Sequence, residues 1–254
     1  MKNLPNIFTL LNLLFGCLAI VSILQNGLII TPDAEGGQLV DIPEKIFMAS
    51  VFIGLAALVD FLDGFFARML GANSEMGKQL DSLSDLVSFG VAPAMILYQF
   101  LRLSLAKEPE GIETHMIWLL PAFILPLAAA WRLARFNLDP AQSETFKGLP
   151  VPAVGIFVAS FPLIYWNVNQ DWVLQLLMNK WFIYGITLLL SLLMISTLPM
   201  FSFKFKDYSV GKNLPRYLLI VIAILSILLL KWMAIPVTIL AYVVLSLLFQ
   251  KKPA

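Results

Sequence analysis

Charged residues are scarce in this sequence of 254 residues. Asp, Glu, Lys and Arg together make up 13% of the chain, about half the usual share for a soluble domain. Hydrophobic residues make up 59%, which is more apolar surface than a soluble chain of this length could hide. The shortage of charge and the long apolar runs therefore predict an integral membrane protein.

The sequence contains a single cysteine and has no excess of basic charge. The single cysteine, Cys17, has no partner in the chain, which excludes a disulfide framework and a cysteine-based metal site. The net charge of +1 provides no overall basic field, so we expect no nucleic acid partner. No small-residue cleavage site follows the apolar run 4–24, and we expect this run to stay as the first membrane helix.

The apolar runs alternate with loops that contain proline and glycine, a pattern typical of an all-α, polytopic membrane helix bundle. Each run is near the ~20 residues that cross a hydrocarbon layer of ~30 Å. The boundary between the last two runs, Lys231 to Pro236, is the least distinct. The eight predicted spans are 5–25, 45–69, 78–101, 116–137, 151–168, 178–200, 214–231 and 233–249.

Basic residues concentrate on one side of the predicted bundle, which indicates its orientation. With a cytoplasmic N-terminus, twelve Lys and Arg lie on the cytoplasmic side and five on the other. The twelve are Lys2, Arg68, Lys78, Arg132, Arg135, Lys147, Lys204, Lys206, Lys212, Arg216, Lys251 and Lys252. The five are Lys45, Arg102, Lys107, Lys180 and Lys231. We therefore expect a multi-pass protein of the cell membrane, with both termini and the loop 70–77 in the cytoplasm.

Four aspartates lie within the predicted spans, where each costs at least about 2.5 kcal/mol on insertion scales. Asp60 and Asp63 share a helix face, and so do Asp81 and Asp85. The two helices form a hairpin through the loop 70–77, which places both pairs within ~15 Å of the cytoplasmic surface. Gathered carboxylates repel one another, and a hard cation such as Mg²⁺ or Mn²⁺ would compensate their charge. The spacing therefore predicts a divalent metal site.

Small residues and one cation accompany the aspartates. Gly64 and Ala67 leave one face of the second helix open, and Gly77 does the same one turn before Asp81, so that a phosphate can come close. Arg68 is a fixed cation suited to phosphate. Together these features indicate a diphosphate site. Carboxylates that only bond helices together, or that relay protons or cations in a transporter, are alternatives. A proton or cation relay explains neither why the four aspartates are crowded at one end of the membrane nor why Arg68 lies beside them.

These residues resemble the signature of the CDP-alcohol phosphatidyltransferase family at every signature position. They are Asp60-x-x-Asp63-Gly64-x-x-Ala67-Arg68 and Gly77-x-x-x-Asp81-x-x-x-Asp85. The segments 6–12, 80–93, 132–137 and 146–150 resemble the branch of the family that uses serine. The resemblance implies a core domain over 1–200, with a six-helix arrangement, and a C-terminal pair of transmembrane helices of the same membrane domain over 201–254.

The resemblance also implies the chemistry. A phosphatidyl group would pass from CDP-diacylglycerol to L-serine, releasing CMP, in an enzyme that is generally a homodimer and uses two divalent ions, Mg²⁺ or Mn²⁺. The implied metal ligands are Asp60, Asp63, Asp81 and Asp85, of which the last is also the general base. The implied nucleotide and diphosphate ligands are Asp60, Gly64, Ala67, Arg68 and Gly77.

Candidates for binding the acceptor lie on the same side of the membrane as the predicted metal site. Arg132 and Arg135 share a face at the cytoplasmic end of the fourth span. One or both would bind a substrate anion, either the serine carboxylate or a lipid phosphate, and the alternative is anchoring at the membrane surface. Asn137 and Lys147 are weaker candidates. Asn6, Thr9 and Asn12 share one face of the first span, and they would either contact the nucleotide or form hydrogen bonds between helices. Lys204 and Lys206 are expected to contact the headgroups of membrane lipids.

Glycerol 3-phosphate is the alternative acceptor. A lysine directly after the third aspartate is common in the branch of the family that uses glycerol 3-phosphate, but this position is Ser82 here, which argues against that branch. Prenyltransferases of the UbiA type also place aspartate clusters in membrane helices, but with a different motif spacing.

Overall fold

The computed structural model describes residues 4–32, 38–71, 74–108, 111, 114–138, 146–201 and 209–249. Lys204 and Lys206, the expected headgroup contacts, lie outside these residues. The α-helices are α1 (Leu4–Gln25), α2 (Phe47–Met69), α3 (Glu75–Asp85), α4 (Ala92–Ala106), α5 (Ile124–Leu138), α6 (Val151–Asn167), α7 (Asp171–Leu177), α8 (Lys180–Ile195), α9 (Val210–Leu230) and α10 (Ala234–Leu248). A π-helical turn, Leu86–Val91, joins α3 to α4.

The prediction of an all-α, polytopic membrane bundle is confirmed, because nearly all of the described chain is helical. Among the residues that the structure describes, four continuous helical stretches are long and apolar enough to cross a membrane, or five if the bent pair α7 and α8 forms one span. The four are Pro5–Gln25, Glu44–Met69, Glu75–Ala106 and Asn213–Leu248, of which the last contains both α9 and α10. The number eight stays a prediction, since the predicted span 116–137 divides into short 3₁₀ turns and the 15-residue α5.

In the described part of the chain, two short two-stranded sheets interrupt the helices. β1 (Ile29–Pro32) and β2 (Gln38–Asp41) form an antiparallel hairpin between α1 and α2. β3 (Phe146–Lys147) pairs with β4 (Pro199–Met200) and so links the segments before α6 and after α8. The Tyr165 hydroxyl donates to Asp41 Oδ1 at 2.6 Å, which ties the hairpin to α6.

Close helix contacts fix the π-helical turn at the centre of the bundle. A Cβ atom on Gly16 of α1 would lie 2.9 Å from the Ser88 Cα atom, and one on Gly155 of α6 would lie 2.9 Å from the Phe89 Cα atom. Real Cβ atoms do not approach a backbone so closely, so only glycine permits this packing. The turn begins directly after Asp85, and its fixed position sets the depth of that aspartate.

The two C-terminal helices form a hairpin. Helix α9 ends at Leu230, and Lys231 adopts φ 50°, which reverses the chain into a short 3₁₀ turn before α10. Helix α10 packs against α9, α6 and β4. Much of α9 presents exposed leucine and isoleucine side chains, as expected for a helix that faces lipid. The hairpin therefore lies at the side of the bundle, with α10 as its inner helix.

Candidate active site

The hairpin of α2 and α3 positions the aspartates through local signals at both helix ends. Gly71 follows α2 with φ +58°, the left-handed conformation in which many helices end. The Ser74 hydroxyl oxygen accepts a hydrogen bond from the Gly77 backbone N–H at 2.9 Å and so caps the N-terminus of α3, as serine commonly does. The short loop between the two helices returns Asp81 to the level of Asp60 and Asp63.

Asp60, Asp63 and Asp81 meet across this hairpin. Each offers one carboxylate oxygen, and the three oxygens all lie within 4.8 Å of one another. The carboxyl groups of Asp60 and Asp81 are within hydrogen-bonding reach of each other, while Asp63 is only 7% exposed. Three hard oxygen donors at these separations fit a Mg²⁺ or Mn²⁺ ion, because small side-chain adjustments bring them around one centre.

Asp85 lies beside this group rather than within it. It is 6% exposed, and its charge interacts with those of Asp60, Asp81 and Asp63. Among the described residues, the tight group of possible metal ligands contains Asp60, Asp63 and Asp81 and not Asp85. The Asp85 carboxylate is therefore close enough to interact electrostatically with the other three carboxylates, but it lies outside their tight group.

Helix α1 holds two of the aspartates by hydrogen bonds. The Thr9 hydroxyl donates to Asp63 Oδ2 at 2.7 Å, and Asn12 Nδ2 donates to Asp85 Oδ1 at 3.1 Å. The Ser88 hydroxyl in turn donates to the Asn12 carbonyl at 2.9 Å. Of the two predicted roles for Thr9 and Asn12, these contacts match bonding between helices, and both bonds end on signature carboxylates.

A cleft of ≈ 490 Å³ opens beside the carboxylates. Its walls come from α1, α2, α3 and the loop between α2 and α3. The predicted site residues that line it are Asn6, Thr9, Asp63, Gly64, Ala67, Gly77 and Asp81. Pro5, Ser74, Glu75 and Lys78 also line the cleft and were missed as site residues, although Lys78 directly follows a signature glycine.

The signature glycines have different surroundings. A Cβ atom on Gly64 would lie 3.9 Å from an Arg68 guanidinium nitrogen, so the Arg68 side chain folds back over this glycine on α2. A Cβ atom on Gly77 would lie 3.1 Å from Asn6 Oδ1 and 3.0 Å from Ser74 Oγ. Gly77 therefore allows α1 to approach the N-terminus of α3, whereas at Gly64 a Cβ atom would only be in ordinary van der Waals contact with the Arg68 guanidinium.

The two arginines of α5, predicted as a pair, have separate environments. Arg132 is 6% exposed, and its Nε has no hydrogen-bond partner among the described residues. The charge of Asp85 stabilises the positive charge of Arg132, and the charge of Arg135 opposes it. Arg135 donates to the carbonyl oxygens of Ile195 at 2.8 Å and Ser196 at 2.9 Å, where it binds the C-terminal end of α8.

Asn137 lies near the C-terminal end of α5, and Lys147 lies in the short sheet before α6. The side-chain Nδ2 of Asn137 donates to the Ser82 hydroxyl at 2.8 Å, and the backbone carbonyl of Asn137 accepts a hydrogen bond from Lys78 Nζ at 2.8 Å. These bonds fasten the end of α5 to α3. Lys147 lies in β3, where it pairs with Pro199 of β4.

Comparison with known families identifies the class of protein. Residues 2–193 match the family described as CDP-alcohol phosphatidyltransferase. The match covers well over half of the chain, which belongs to this family. Members of the family depend on divalent metal ions, in keeping with the three gathered carboxylates. The matched residues end within α8, so α9 and α10 lie outside them.

Three curated relatives have the same descriptive name, CDP-diacylglycerol–serine O-phosphatidyltransferase. The Mycobacterium leprae protein is 35% identical over 186 residues, which are 70% of this chain and 56% of that protein. The Bacillus subtilis protein is 33% identical over 165 residues, 65% of this chain and 78% of its own length. The Saccharomyces cerevisiae protein is 40% identical over 119 residues, 43% of this chain and 39% of its own. The chain thus spans little more than half of the M. leprae relative.

Proposed function

We propose that this membrane protein transfers the phosphatidyl group of CDP-diacylglycerol to L-serine, with release of CMP. The observation that carries the proposal is the meeting of Asp60, Asp63 and Asp81 within 4.8 Å beside a cleft. A reaction at the diphosphate of a lipid requires that the negative charge of the diphosphate is neutralised next to the hydrocarbon layer. A metal ion held by this cluster would do so, because the cluster lies in membrane helices. The names of the relatives and the flanking segments support serine as the acceptor.

The donor site is proposed at the cleft. Asp60, Asp63 and Asp81 would hold the metal, which when bound neutralises the diphosphate and stabilises the departing CMP oxygen. Gly64, Ala67 and Gly77 leave room for the cytidine diphosphate, and the Arg68 guanidinium provides a fixed positive charge for it. The acyl chains stay among lipid while the head group reaches the mouth of the cleft.

The acceptor reaction requires a base. The serine hydroxyl attacks the lipid-side phosphorus of CDP-diacylglycerol, the phosphorus–oxygen bond to CMP breaks, and the hydroxyl proton must leave. We assign the proton to a carboxylate oxygen of Asp85, which Asn12 orients through the bond to Oδ1. Arg132 is proposed to bind the substrate anion, because its charge is buried and lies within electrostatic range of Asp85. The bonds of Arg135 to α8 favour a structural role for that residue.

Three finer features rest on the family resemblance. They are the pairing of chains as a homodimer, the presence of two ions in each chain, and the division into a core over 1–200 and a helix pair over 201–254. Light scattering of the detergent-solubilised enzyme counts the chains, and elemental analysis of the same sample counts the ions.

The acceptor is tested by an assay of purified enzyme with CDP-diacylglycerol, Mn²⁺ or Mg²⁺ and a panel of alcohols. We expect L-serine to stimulate CMP release at least about tenfold above every other alcohol, since a binding site for its charged groups discriminates strongly. Release that depends on glycerol 3-phosphate and not on serine would assign the enzyme to another branch. No CMP release with any alcohol would favour the transporter alternative.

The orientation is tested by labelling of cysteines in intact cells. We propose that both termini and the loop 70–77 are cytoplasmic, since twelve basic residues lie on that side and five on the other. In a background with Cys17→Ser, an impermeant thiol reagent is expected to label Leu39→Cys, on the exposed strand β2, but not Ala72→Cys. Labelling of Ala72→Cys with protection of Leu39→Cys would reverse the orientation.

A further inference from the structure

Lys78 brings a positive charge into the cleft beside the carboxylates. Among the described residues that line the cleft it is the one cation, whereas three of them, Asp63, Glu75 and Asp81, are acids. Arg68, the cation of the signature, does not belong to the lining residues. The side-chain cation that an anionic ligand would meet in this cleft is therefore Lys78.

The Lys78 side chain is held from the neighbouring helix α5. Its Nζ donates a hydrogen bond to the Asn137 backbone carbonyl at 2.8 Å, at the end of α5, where helix carbonyls lack partners within the helix. Asn137 Nδ2 donates to the Ser82 hydroxyl at 2.8 Å, and this hydroxyl donates to the Lys78 backbone carbonyl at 3.2 Å. The three bonds form a closed ring between α3 and α5, which restricts the direction of the Lys78 side chain.

The ammonium group retains donors for a ligand. A lysine ammonium has three N–H donors, and among the described residues Lys78 Nζ uses one of them, in the bond to Asn137. In the same part of the chain no ion pair joins Lys78 to a carboxylate, although Glu75 and Asp81 lie three residues away on either side. No acid in direct contact neutralises the charge, so the ammonium can form charge-assisted hydrogen bonds with a bound anion.

The cleft contains residues of the proposed donor site and not the two main residues of the proposed acceptor site. Gly64, Ala67 and Gly77 line it, whereas Asp85 and Arg132 do not. An anion that meets Lys78 in the cleft is therefore part of the donor lipid rather than the carboxylate of serine.

The position of Lys78 along α3 relates it to one end of the donor diphosphate. Helix α3 begins at Glu75, so Lys78 lies about 4.5 Å closer than Asp81 to the loop between α2 and α3. In the proposed orientation of CDP-diacylglycerol, the lipid end of the diphosphate continues toward the hydrocarbon layer and the nucleotide end points to the mouth of the cleft. The phosphate nearer to Lys78 is then the one that leaves with CMP.

We propose that Lys78 binds the nucleotide-side phosphate of CDP-diacylglycerol and, after the transfer, the phosphate of CMP. Its ammonium keeps the bond to the Asn137 carbonyl and directs its remaining donors to phosphate oxygens. The proposal deepens the proposed function and rests on it for the donor lipid and for the cleft as the donor site. It does not depend on which alcohol is the acceptor.

Binding of CMP to the purified enzyme with Mn²⁺ tests the proposal without turnover. Lys78→Met keeps a long side chain and removes its charge, and the Kd for CMP in equilibrium dialysis is expected to rise about tenfold, the size of a lost hydrogen bond to a charged group. The KM for CDP-diacylglycerol should rise similarly, while the KM for serine stays within about twofold of wild type. An unchanged Kd for CMP would overturn the proposal, and so would a rise in the KM for serine alone.

Two further variants separate phosphate binding from support of the fold. Lys78→Arg keeps the positive charge and should retain most of the affinity for CMP that Lys78→Met loses. Equal losses in both variants would mean that only the bond to α5 matters, which would contradict the proposal.

Lys107→Met makes the same chemical change at an exposed lysine outside the cleft, whose ammonium donates to Met178 Sδ at 2.8 Å. This control should leave the Kd for CMP unchanged, and a rise equal to that of Lys78→Met would show that the effect is not specific to the cleft and would overturn the proposal. If wild type releases CMP with another alcohol, serine is not the acceptor and the proposed function fails in that respect. The CMP measurement still tests Lys78 in that case.

Discussion

Asp60→Asn, Asp63→Asn and Asp81→Asn are each expected to reduce turnover by at least about 100-fold while leaving the protein folded. Asparagine keeps the volume of aspartate and removes its charge, so each change takes one hard ligand from the cluster. Loss of a residue that merely supports a ligand costs 10–100-fold, and loss of the ligand itself should cost more. CMP release from CDP-diacylglycerol and serine, with saturating Mn²⁺ or Mg²⁺, measures the effect.

The same variants distinguish a metal site from a structural cluster. In EDTA, wild type should lose activity and recover it on addition of either ion. In EDTA the variants should unfold at the same temperature as wild type or at a higher one, because each removes repulsion from a group of like charges. Asp171→Asn, at the exposed start of α7, serves as the control and should behave as wild type. Full activity of the wild type in EDTA would exclude metal dependence.

Helical periodicity was sufficient to predict the meeting of three of the four signature carboxylates, Asp60, Asp63 and Asp81. Asp60 and Asp63 share a face because they are three residues apart, and the loop 70–77 is short enough to bring Asp81 to their level. Gly71 and Ser74 supply the helix-end signals that make the loop short. All of this information is local in sequence, which is why the sequence sufficed to predict this part of the site.

Other features depend on contacts between distant segments, which periodicity does not report. The spacing of Arg132 and Arg135 predicted one shared face, but their side chains diverge, because Arg135 finds the carbonyls of α8. The π-helical turn after Asp85 arises where Gly16 and Gly155 let two helices approach its backbone. No spacing along the chain links these residues.

The two short sheets were missed for a related reason. Strand β3 has two residues and pairs with a strand more than fifty positions later in the chain, so no alternation of polar and apolar residues could reveal it. The hairpin β1–β2 lies in the first predicted loop, whose Pro32, Gly36 and Gly37 were interpreted only as helix breakers. In a membrane bundle these small sheets satisfy backbone groups between helices, as the bond from the Gly148 N–H to the Leu198 carbonyl at 2.8 Å illustrates.

Asp85→Asn is expected to lose nearly all turnover but to keep the binding of CDP-diacylglycerol. General-base contributions are typically ~10²–10⁴-fold, and a carboxamide cannot take the serine proton. The amide oxygen of the new side chain can still accept the hydrogen bond from Asn12, so the local structure should persist. Asp60, Asp63, Asp81 and Arg68 remain, so the diphosphate keeps its proposed ligands. Binding of the nucleotide lipid, measured alongside CMP release, tests both parts.

The comparison with Asp81→Asn identifies the role of Asp85. Asp81 belongs to the group of oxygens within 4.8 Å of one another, and Asp85 does not. Asp85 also lies one helical turn deeper, about 5.4 Å further along α3. If Asp85 is the general base, Asp81→Asn should weaken the binding of CDP-diacylglycerol and Asp85→Asn should not. If Asp85 is instead a ligand of a second ion, both variants should lose this binding to the same extent. Turnover of Asp85→Asn within about tenfold of wild type would mean that another group takes the proton, because even a modest general base contributes more than that.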